Sequence, residues 1–139
     1  MQNGSSEAES RKEEWGRVRI IAGEAKGRRL AAPGSGTRPF TGRAKEAVFS
    51  SLHRHLPGSH VLDLFAGSGS LGLEALSRGA ESAVFVESSR GAIGVLADNV
   101  ASVGLGGDVV NADAERFLER DTRTYSPVSY THLRAHETF

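Results

Sequence analysis

Two carboxylates and a glycine-rich turn are the residues of this sequence whose types and spacing could do chemistry. Asp63 lies near the end of an apolar run, the turn Ala66-Gly-Ser-Gly-Ser70 follows it, and Glu87 ends the next apolar run. Glycines in such a turn let the backbone approach a bound ligand, and a carboxylate can accept hydrogen bonds from both hydroxyls of a ribose. The arrangement is typical of a site for a cofactor that contains a nucleoside.

Which cofactor fits depends on the charge beside the turn. Gly67, Gly69 and Gly72 spell GxGxxG, and Glu87 follows at the distance of about 20 residues that a dinucleotide fingerprint requires. Asp63, however, would lie where the doubly negative pyrophosphate of a dinucleotide must rest, and the charges would repel each other. S-adenosylmethionine has no phosphate, and its ammonium and sulfonium cations are attracted to a neighbouring carboxylate. The sequence therefore predicts S-adenosylmethionine as the cofactor.

These residues are positioned by a repeated pattern of strand, turn and helix that begins near His60. The alternation predicts an α/β fold, a Rossmann-like, doubly wound parallel sheet with right-handed crossovers. Ligands of such sheets bind at the carboxyl ends of the strands, which is where Asp63 and Glu87 are expected. The predicted order is strand 61–65, helix 71–78, strand 82–87, helix 90–103, strand 109–110 and helix 114–120.

The segment before the first strand carries most of the positive charge. Residues 18–22 and 28–31 predict a basic β-hairpin, and residues 43–53 predict an amphipathic helix. Between residues 17 and 54, nine Lys and Arg face only two Glu, an excess suited to a polyanion such as RNA. The candidate RNA-binding residues are Arg17, Arg19, Lys26, Arg28, Arg29, Arg38, Arg43 and Lys45.

The composition restricts the class of protein. The 139 residues give room for one ordinary domain, and the absence of cysteine excludes disulfides and cysteine-ligated metals. The five histidines have no ligand-like spacing, so no metal site is predicted. The sequence has neither an apolar run long enough for a transmembrane helix nor a signal-peptide pattern at its start. We therefore expect a cytoplasmic protein without membrane association.

Several segments, taken together, resemble one enzyme family. The stretch VLDLFAGSGSLGLEALSRGA followed by VFVE resembles motifs I and II of class I S-adenosylmethionine-dependent methyltransferases. Upstream, RIIAG, KGRRL and TRPFTGR through Phe49 resemble the amino-terminal region of the RsmD-type family. That family methylates the N2 amine of one guanine in 16S ribosomal RNA, the RNA of the small subunit. The resemblance runs from about Arg17 to Leu118.

The resemblance implies a role for each matching residue. Asp63 and the glycine-rich turn would line the methionine end of the cofactor, Glu87 would hold the ribose, and Asp113 would lie beside the adenine. Asp113 is equally compatible with a cap on the helix that begins at Ala114. The implied chemistry is direct attack of the guanine amine on the methyl group, driven by proximity and electrostatics. The implied cofactor-binding residues are Asp63, Phe65, Ala66, Gly67, Ser68, Gly69, Glu87 and Asp113.

The motif that holds the target base in this family is missing from the sequence. The resemblance implies an Asp/Asn-Pro-Pro-Tyr/Phe tetrapeptide on the fourth strand, and the 139 residues contain none. Near residues 131–134, where the motif is expected, the chain reads Thr-His-Leu-Arg. Residues 126–139 have neither strand nor helix periodicity. We interpret them as a non-native tail, and we expect the chain to be a truncated, inactive fragment.

The sequence thus predicts four segments and one main function. Residues 1–15 are too polar to repay the entropy of ordering and are predicted to be a disordered tail. Residues 16–56 would form an RNA-binding extension and residues 57–125 a partial methyltransferase domain, ahead of the tail at 126–139. The predicted partner is small-subunit ribosomal RNA or the assembling 30S particle, bound by a monomer. Two alternatives remain open: a non-catalytic RNA-binding module on the same fold, and an NAD(P)-dependent oxidoreductase.

Overall fold

A computed structural model of the protein describes residues 18–32, 42–123 and 125. In this part of the chain three parallel strands form one sheet, each strand is followed by a helix, and one helix precedes the first strand. The order is α1 (Gly42–Leu52), β1 (His60–Asp63), α2 (Ser70–Ser77), β2 (Ser82–Glu87), α3 (Arg90–Val103), β3 (Asp108–Asn111) and α4 (Ala114–Arg120).

The strands of the sheet lie in the order β1-β2-β3, and both neighbouring pairs are parallel. Asp63, the last residue of β1, pairs with Phe85, and Glu87, the last residue of β2, pairs with Asn111. The carboxyl ends of the strands therefore lie along one edge of the sheet, as parallel strands joined by helices require. This edge holds both acidic side chains.

Alternating residues of the strands face two hydrophobic clusters. Phe85 of β2 points into a cluster that includes Leu73 of α2 and Leu96 of α3. Its neighbour Val84 belongs to a second cluster, which includes Phe117 of α4. The alternation follows from the period of two in a strand, and helices cover both faces of the sheet. The fold is a Rossmann-like α/β fold, as predicted.

The amino-terminal segment packs into the same core as the sheet. An antiparallel bridge joins Arg19 to Arg29, and we call residues 18–30 the N-terminal hairpin. Ile20 of this hairpin and Phe49 of α1 are buried in the cluster that also contains the apolar residues of α2. The N-terminal hairpin and α1 therefore share one hydrophobic core with α2, the helix that follows the glycine-rich turn.

The observed elements agree with the predicted ones to within a few residues. β2, α3 and α4 have the predicted bounds, and α3 ends where Gly104 adopts a left-handed conformation (φ 72°). β1 ends at Asp63 rather than Phe65, because the chain turns directly after the carboxylate. The predicted tails at 1–15 and 126–139 lie outside the described residues. None of the helices within the described ranges is long and apolar enough to span a membrane.

Candidate functional site

The turn between β1 and α2 is fixed by backbone hydrogen bonds at the edge of the sheet. The Ala66 amide donates to the Val86 carbonyl (3.1 Å), and the Gly69 amide donates to the Ala66 carbonyl (2.7 Å). Gly67 and Gly69 both have positive φ, 54° and 85°. A Cβ on Gly69 would lie 2.7 Å from Cδ1 of Leu96, whereas a Cβ on Gly67 would have no atom of the described residues within 4 Å. Gly69 therefore serves packing, and Gly67 leaves the rim of the turn open to a ligand.

The third glycine of the pattern brings α2 close to the sheet. A Cβ on Gly72 would lie 2.3 Å from Cε1 of the Phe85 ring. This distance is too short for a real side chain, so any other residue at this position would displace the helix or the ring. The Gly72 amide also donates a hydrogen bond to Oδ2 of Asp63 (3.2 Å). The same glycine thus sets the distance between helix and strand and contacts the carboxylate at the end of β1.

Asp63 is a buried carboxylate whose hydrogen bonding is only half satisfied. Its residue is 1% exposed, and Oδ1 has no hydrogen-bond partner among the described residues. Burial raises the pKa of Asp63 to about 7, the hydrogen bond from Gly72 acts in the opposite direction, and the charge of Glu87 raises the pKa further. A buried oxygen without a partner is rare in folded proteins. This oxygen marks a place where a cation or a hydrogen-bond donor would be stabilised.

Glu87 is a partly buried carboxylate held in one orientation by two backbone amides. Oε1 accepts a hydrogen bond from the Gly67 amide (2.8 Å), and Oε2 accepts one from the Ser89 amide (2.8 Å). An ionised carboxylate has about four lone-pair positions, so each oxygen of Glu87 can accept a second bond. The side chain is therefore positioned to receive a pair of hydroxyl groups.

The other predicted cofactor residues lie in the turn after β1 and just beyond the end of β3. Phe65 is partly buried, Ala66 is buried, and the Ser68 carbonyl accepts a hydrogen bond from Nδ2 of Asn99 (2.8 Å). Asp113 is exposed at the N-cap of α4, where its side chain makes no capping hydrogen bond. Its carboxylate is therefore not engaged by the helix that it precedes.

Most of the candidate RNA-binding side chains that the structure describes lie on the surface. Arg17 and Arg38 fall outside the described residues. The exposed candidates are Arg19, Lys26, Arg28, Arg29 and Arg43.

Lys45 requires a correction, because its ammonium is buried and paired inside the protein. The residue is 2% exposed, and Nζ lies 3.2 Å from Oε1 of Glu74. Nζ also donates to the Arg19 carbonyl (2.7 Å) and to Oγ of Ser70 (3.0 Å). Burial lowers the pKa of Lys45, and the charge of Glu74 opposes that change. Lys45 therefore cannot reach an RNA phosphate from this position, and it joins the hairpin to the first residue of α2 instead.

Glu74 of α2 is the centre of this buried network. Its residue is 0% exposed, and its carboxylate accepts the amides of Ile21 (2.8 Å) and Ala22 (3.1 Å). It also pairs with Nε of Arg78 at 2.8 Å, in addition to the ion pair with Lys45. The N-terminal hairpin is thus fixed to the helix that begins in the glycine-rich turn.

Sequence reasoning missed this network, although two signals for it are present. Glu74 stands in the otherwise apolar or small helix SLGLEALS, where a charged residue must be buried with partners. Lys45 lies one helical turn before the buried Phe49, so its stem shares the apolar face of α1.

Comparison with known proteins gives this chain a family. The family model described as "Conserved hypothetical protein 95" matches residues 18–133. The chain is 45% identical over 105 residues to Ribosomal RNA small subunit methyltransferase D of Escherichia coli (strain K12), covering 74% of this chain and 53% of that protein. It is 40% identical over 109 residues to the protein of the same name from Haemophilus influenzae, covering 76% and 56%. The chain therefore spans about half the length of the curated relatives it matches.

Solved structures give the same result at the level of the fold. The Escherichia coli protein yhhF superposes with a TM-score of 0.66 at 44% identity, covering 72% of this chain and 55% of that one. A Thermus thermophilus protein superposes with a TM-score of 0.67 at 44% identity, covering 73% and 58%. Because the family model covers most of the sequence, this chain belongs to that family, the RsmD-type methyltransferases.

Proposed function

We propose that this chain carries the cofactor-binding part of an S-adenosylmethionine-dependent methyltransferase that modifies the N2 amine of a guanine in small-subunit ribosomal RNA. The observation that carries the proposal is the buried Asp63 carboxylate, whose Oδ1 has no partner among the described residues. Relatives named as small-subunit ribosomal RNA methyltransferases support the choice of substrate.

The donor set of the site fits S-adenosylmethionine. The cofactor's ammonium group offers both the positive charge and the hydrogen bond that Oδ1 of Asp63 lacks. Glu87 has one free acceptor position on each oxygen for the two ribose hydroxyls. Asp113, exposed just beyond β3, would contact the adenine, and the turn from Phe65 to Gly69 would line the methionine end. When bound, the cofactor supplies the electrophilic methyl group, and these residues hold and orient it.

A nicotinamide dinucleotide is the weaker candidate for the same site. Its pyrophosphate would lie beside the turn and therefore beside Asp63. No cation of the described residues pairs with Asp63. Ionisation of Asp63 and binding of a doubly negative pyrophosphate would oppose each other. The buried carboxylate thus favours a cationic cofactor over an anionic one.

The exposed basic residues of the N-terminal hairpin and α1 would contact RNA phosphates. Arg17 and Arg38 belong to the same proposed set, and Lys45 does not. The substrate would be the small-subunit RNA or the assembling 30S particle, with the protein acting as a monomer in the cytoplasm.

Methyl transfer also needs residues that hold the guanine. Because the sequence contains no Asp/Asn-Pro-Pro-Tyr/Phe tetrapeptide, we expect the 139-residue chain to bind cofactor and RNA without transferring a methyl group. The alternative of an RNA-binding module without chemistry predicts RNA binding and no cofactor binding. A measurement of cofactor affinity therefore distinguishes the methyltransferase from the RNA-binding module.

Isothermal titration calorimetry with S-adenosylhomocysteine and with NADH tests the proposal. Glu87→Ala removes the charged acceptor of the ribose hydroxyls, at about 1.5–3 kcal/mol for each hydrogen bond to a charged group. We expect the parent chain to bind S-adenosylhomocysteine and not NADH, and Glu87→Ala to weaken binding at least tenfold. Glu81→Ala is the matched control, since Glu81 is exposed just before the other end of β2. Unchanged affinity in a folded Glu87→Ala protein, or binding of NADH alone, would overturn the assignment.

A further inference from the structure

Two arginines of the N-terminal hairpin face each other across its strands. Arg19 and Arg29 form the antiparallel bridge, and the bonds on either side of it run from the Ile20 amide to the Arg28 carbonyl (2.9 Å) and from the Leu30 amide to the Val18 carbonyl (2.8 Å). This pattern makes Arg19 and Arg29 a non-hydrogen-bonded pair, in which the side chains stand closest, with Cβ atoms about 4.5–5.5 Å apart. Like charges at such positions destabilise a hairpin.

No carboxylate within residues 18–32, 42–123 or 125 compensates for this repulsion. Both side chains are exposed, and no carboxylate of the described residues forms an ion pair with either of them. Two exposed guanidinium groups on neighbouring Cβ atoms can meet around one shared anion, because each presents a planar fork of N–H donors.

The fold holds the pair in place instead of letting it separate. Gly27 (φ 87°) donates to the Ile20 carbonyl (2.8 Å), and the Ile20 amide donates to the Arg28 carbonyl, which is the bonding of a β-bulge with glycine at its first position. The extra residue sets the register that turns Leu30 inward and Arg29 outward. On the other strand, the buried Lys45 ammonium binds the Arg19 carbonyl at 2.7 Å.

We propose that Arg19 and Arg29 together bind a single phosphodiester group of the RNA substrate. The proposal rests on the proposed function, and it names the place on the hairpin where one backbone phosphate is held. Lys26 and Arg28 are also exposed on this hairpin, against one exposed acidic residue, Glu24, so the net charge of the hairpin is positive. A net positive surface favours a polyanion over an isolated carboxylate.

The number of phosphates bound is the quantity to measure. Fluorescence anisotropy with a labelled single-stranded fragment of small-subunit ribosomal RNA, repeated over a series of salt concentrations, gives the slope of log affinity against log salt. Each neutralised phosphate of a single strand contributes about 0.7 to the magnitude of that slope. Arg19→Gln, Arg29→Gln and the double variant are compared with Arg116→Gln, which removes one exposed charge from α4.

If the two arginines share one phosphate, each single variant lowers the slope by up to about 0.7 and the double variant lowers it by about 0.7 in total. The affinity losses are then non-additive, and Arg116→Gln leaves the slope unchanged. A loss of about 1.4 in the double variant would mean two separate phosphates and would overturn the shared site. An unchanged slope in all variants would overturn it as well, while leaving RNA binding by the parent intact. A parent chain that fails to bind RNA, or that binds an acidic polypeptide equally well, would refute both this inference and the proposed substrate.

The thermal stability of the protein without RNA is an independent test of the repulsion between Arg19 and Arg29. Either single substitution relieves the like-charge contact, so its melting temperature should equal or exceed that of the parent. A melting temperature below that of Arg116→Gln would mean that the pair is already compensated, which contradicts the proposal.

Discussion

Replacing the buried carboxylate at the end of β1 should stabilise the free protein and abolish cofactor binding. Asp63→Asn keeps the shape of the side chain and an oxygen for the Gly72 amide, but it removes the ionisable group that burial disfavours. The pKa of Asp63 is raised from 3.8 to about 7. At 1.36 kcal/mol for each pKa unit, ionised Asp63 costs the folded state roughly 4 kcal/mol.

The sign of the pH dependence follows from the direction of the pKa change. Between about pH 4 and pH 7 the folded protein keeps a proton on Asp63 that the unfolded chain has released, so raising the pH through this interval favours unfolding. The penalty is absent below the interval and fully present above it. Asp63→Asn has no such dependence. The stability difference between variant and parent should therefore grow by roughly 3 kcal/mol from pH 4.5 to pH 8.

Urea unfolding at a series of pH values measures this difference. Asp98→Asn, at an exposed position of α3, is the charge-matched control and should show no comparable trend. Calorimetry with S-adenosylmethionine is the second part of the test. As the pH is lowered from 7, the affinity of the parent should decrease by at most about tenfold per pH unit, because the protonated Asp63 carboxyl cannot pair with the ammonium of the cofactor. A stability difference that is constant with pH would refute the burial argument, and cofactor binding by Asp63→Asn would refute the role of the charge.

Two further predictions concern the attachment of the N-terminal hairpin to α2. Gly23→Ala places a Cβ 1.9 Å from the Ser77 carbonyl oxygen at a positive φ, whereas Gly27→Ala has the same backbone strain and open space. Gly27→Ala should lower the free energy of unfolding by about 1–3 kcal/mol, and Gly23→Ala should lower it distinctly more. Equal losses of stability in urea unfolding would contradict the packing of Gly23 against the end of α2. Lys45→Met leaves the buried Glu74 carboxylate with one cation fewer and should cost about 3 kcal/mol, toward the lower end for a broken buried pair because Arg78 remains. Adding Glu74→Gln should then cost less than it does in the parent, and strictly additive losses would show that the two side chains do not interact.

The parts of the fold that the sequence predicts well are those that depend on local pattern. Residues 83–86 of β2 form an apolar run between Ser82 and Glu87, and α3 has an apolar face that ends at Gly104, so both have the predicted bounds. The glycine-rich turn and the two acidic strand ends were also predictable, because parallel strands place their carboxyl ends together. These features require only neighbours in sequence or a general rule of topology.

The parts that escaped prediction depend on contacts between distant segments. Lys45 has the composition of a solvated charge within a basic stretch, and only its approach to Glu74 on another helix buries it. Gly23 looks like any turn glycine, yet its position is fixed by the end of α2, where Oγ of Ser77 donates to the Ala22 carbonyl (2.6 Å) and accepts from the Ala25 amide (2.9 Å). Charge counting along the chain cannot distinguish a lysine that joins two elements from one that faces RNA.

The two most deeply buried acidic side chains of this region differ in how they are compensated, and the difference separates a structural carboxylate from a ligand-binding one. Glu74 receives two backbone amides and two cations, Lys45 and Arg78. Asp63 receives one amide, and its second oxygen is left without a partner among the described residues. Because an uncompensated buried charge is costly, a fold retains one where a bound group completes it. Lys45 and Arg78 pair with Glu74, and no cation of the described residues pairs with Asp63, so a ligand that brings a positive charge to Asp63 is favoured over one that brings a phosphate.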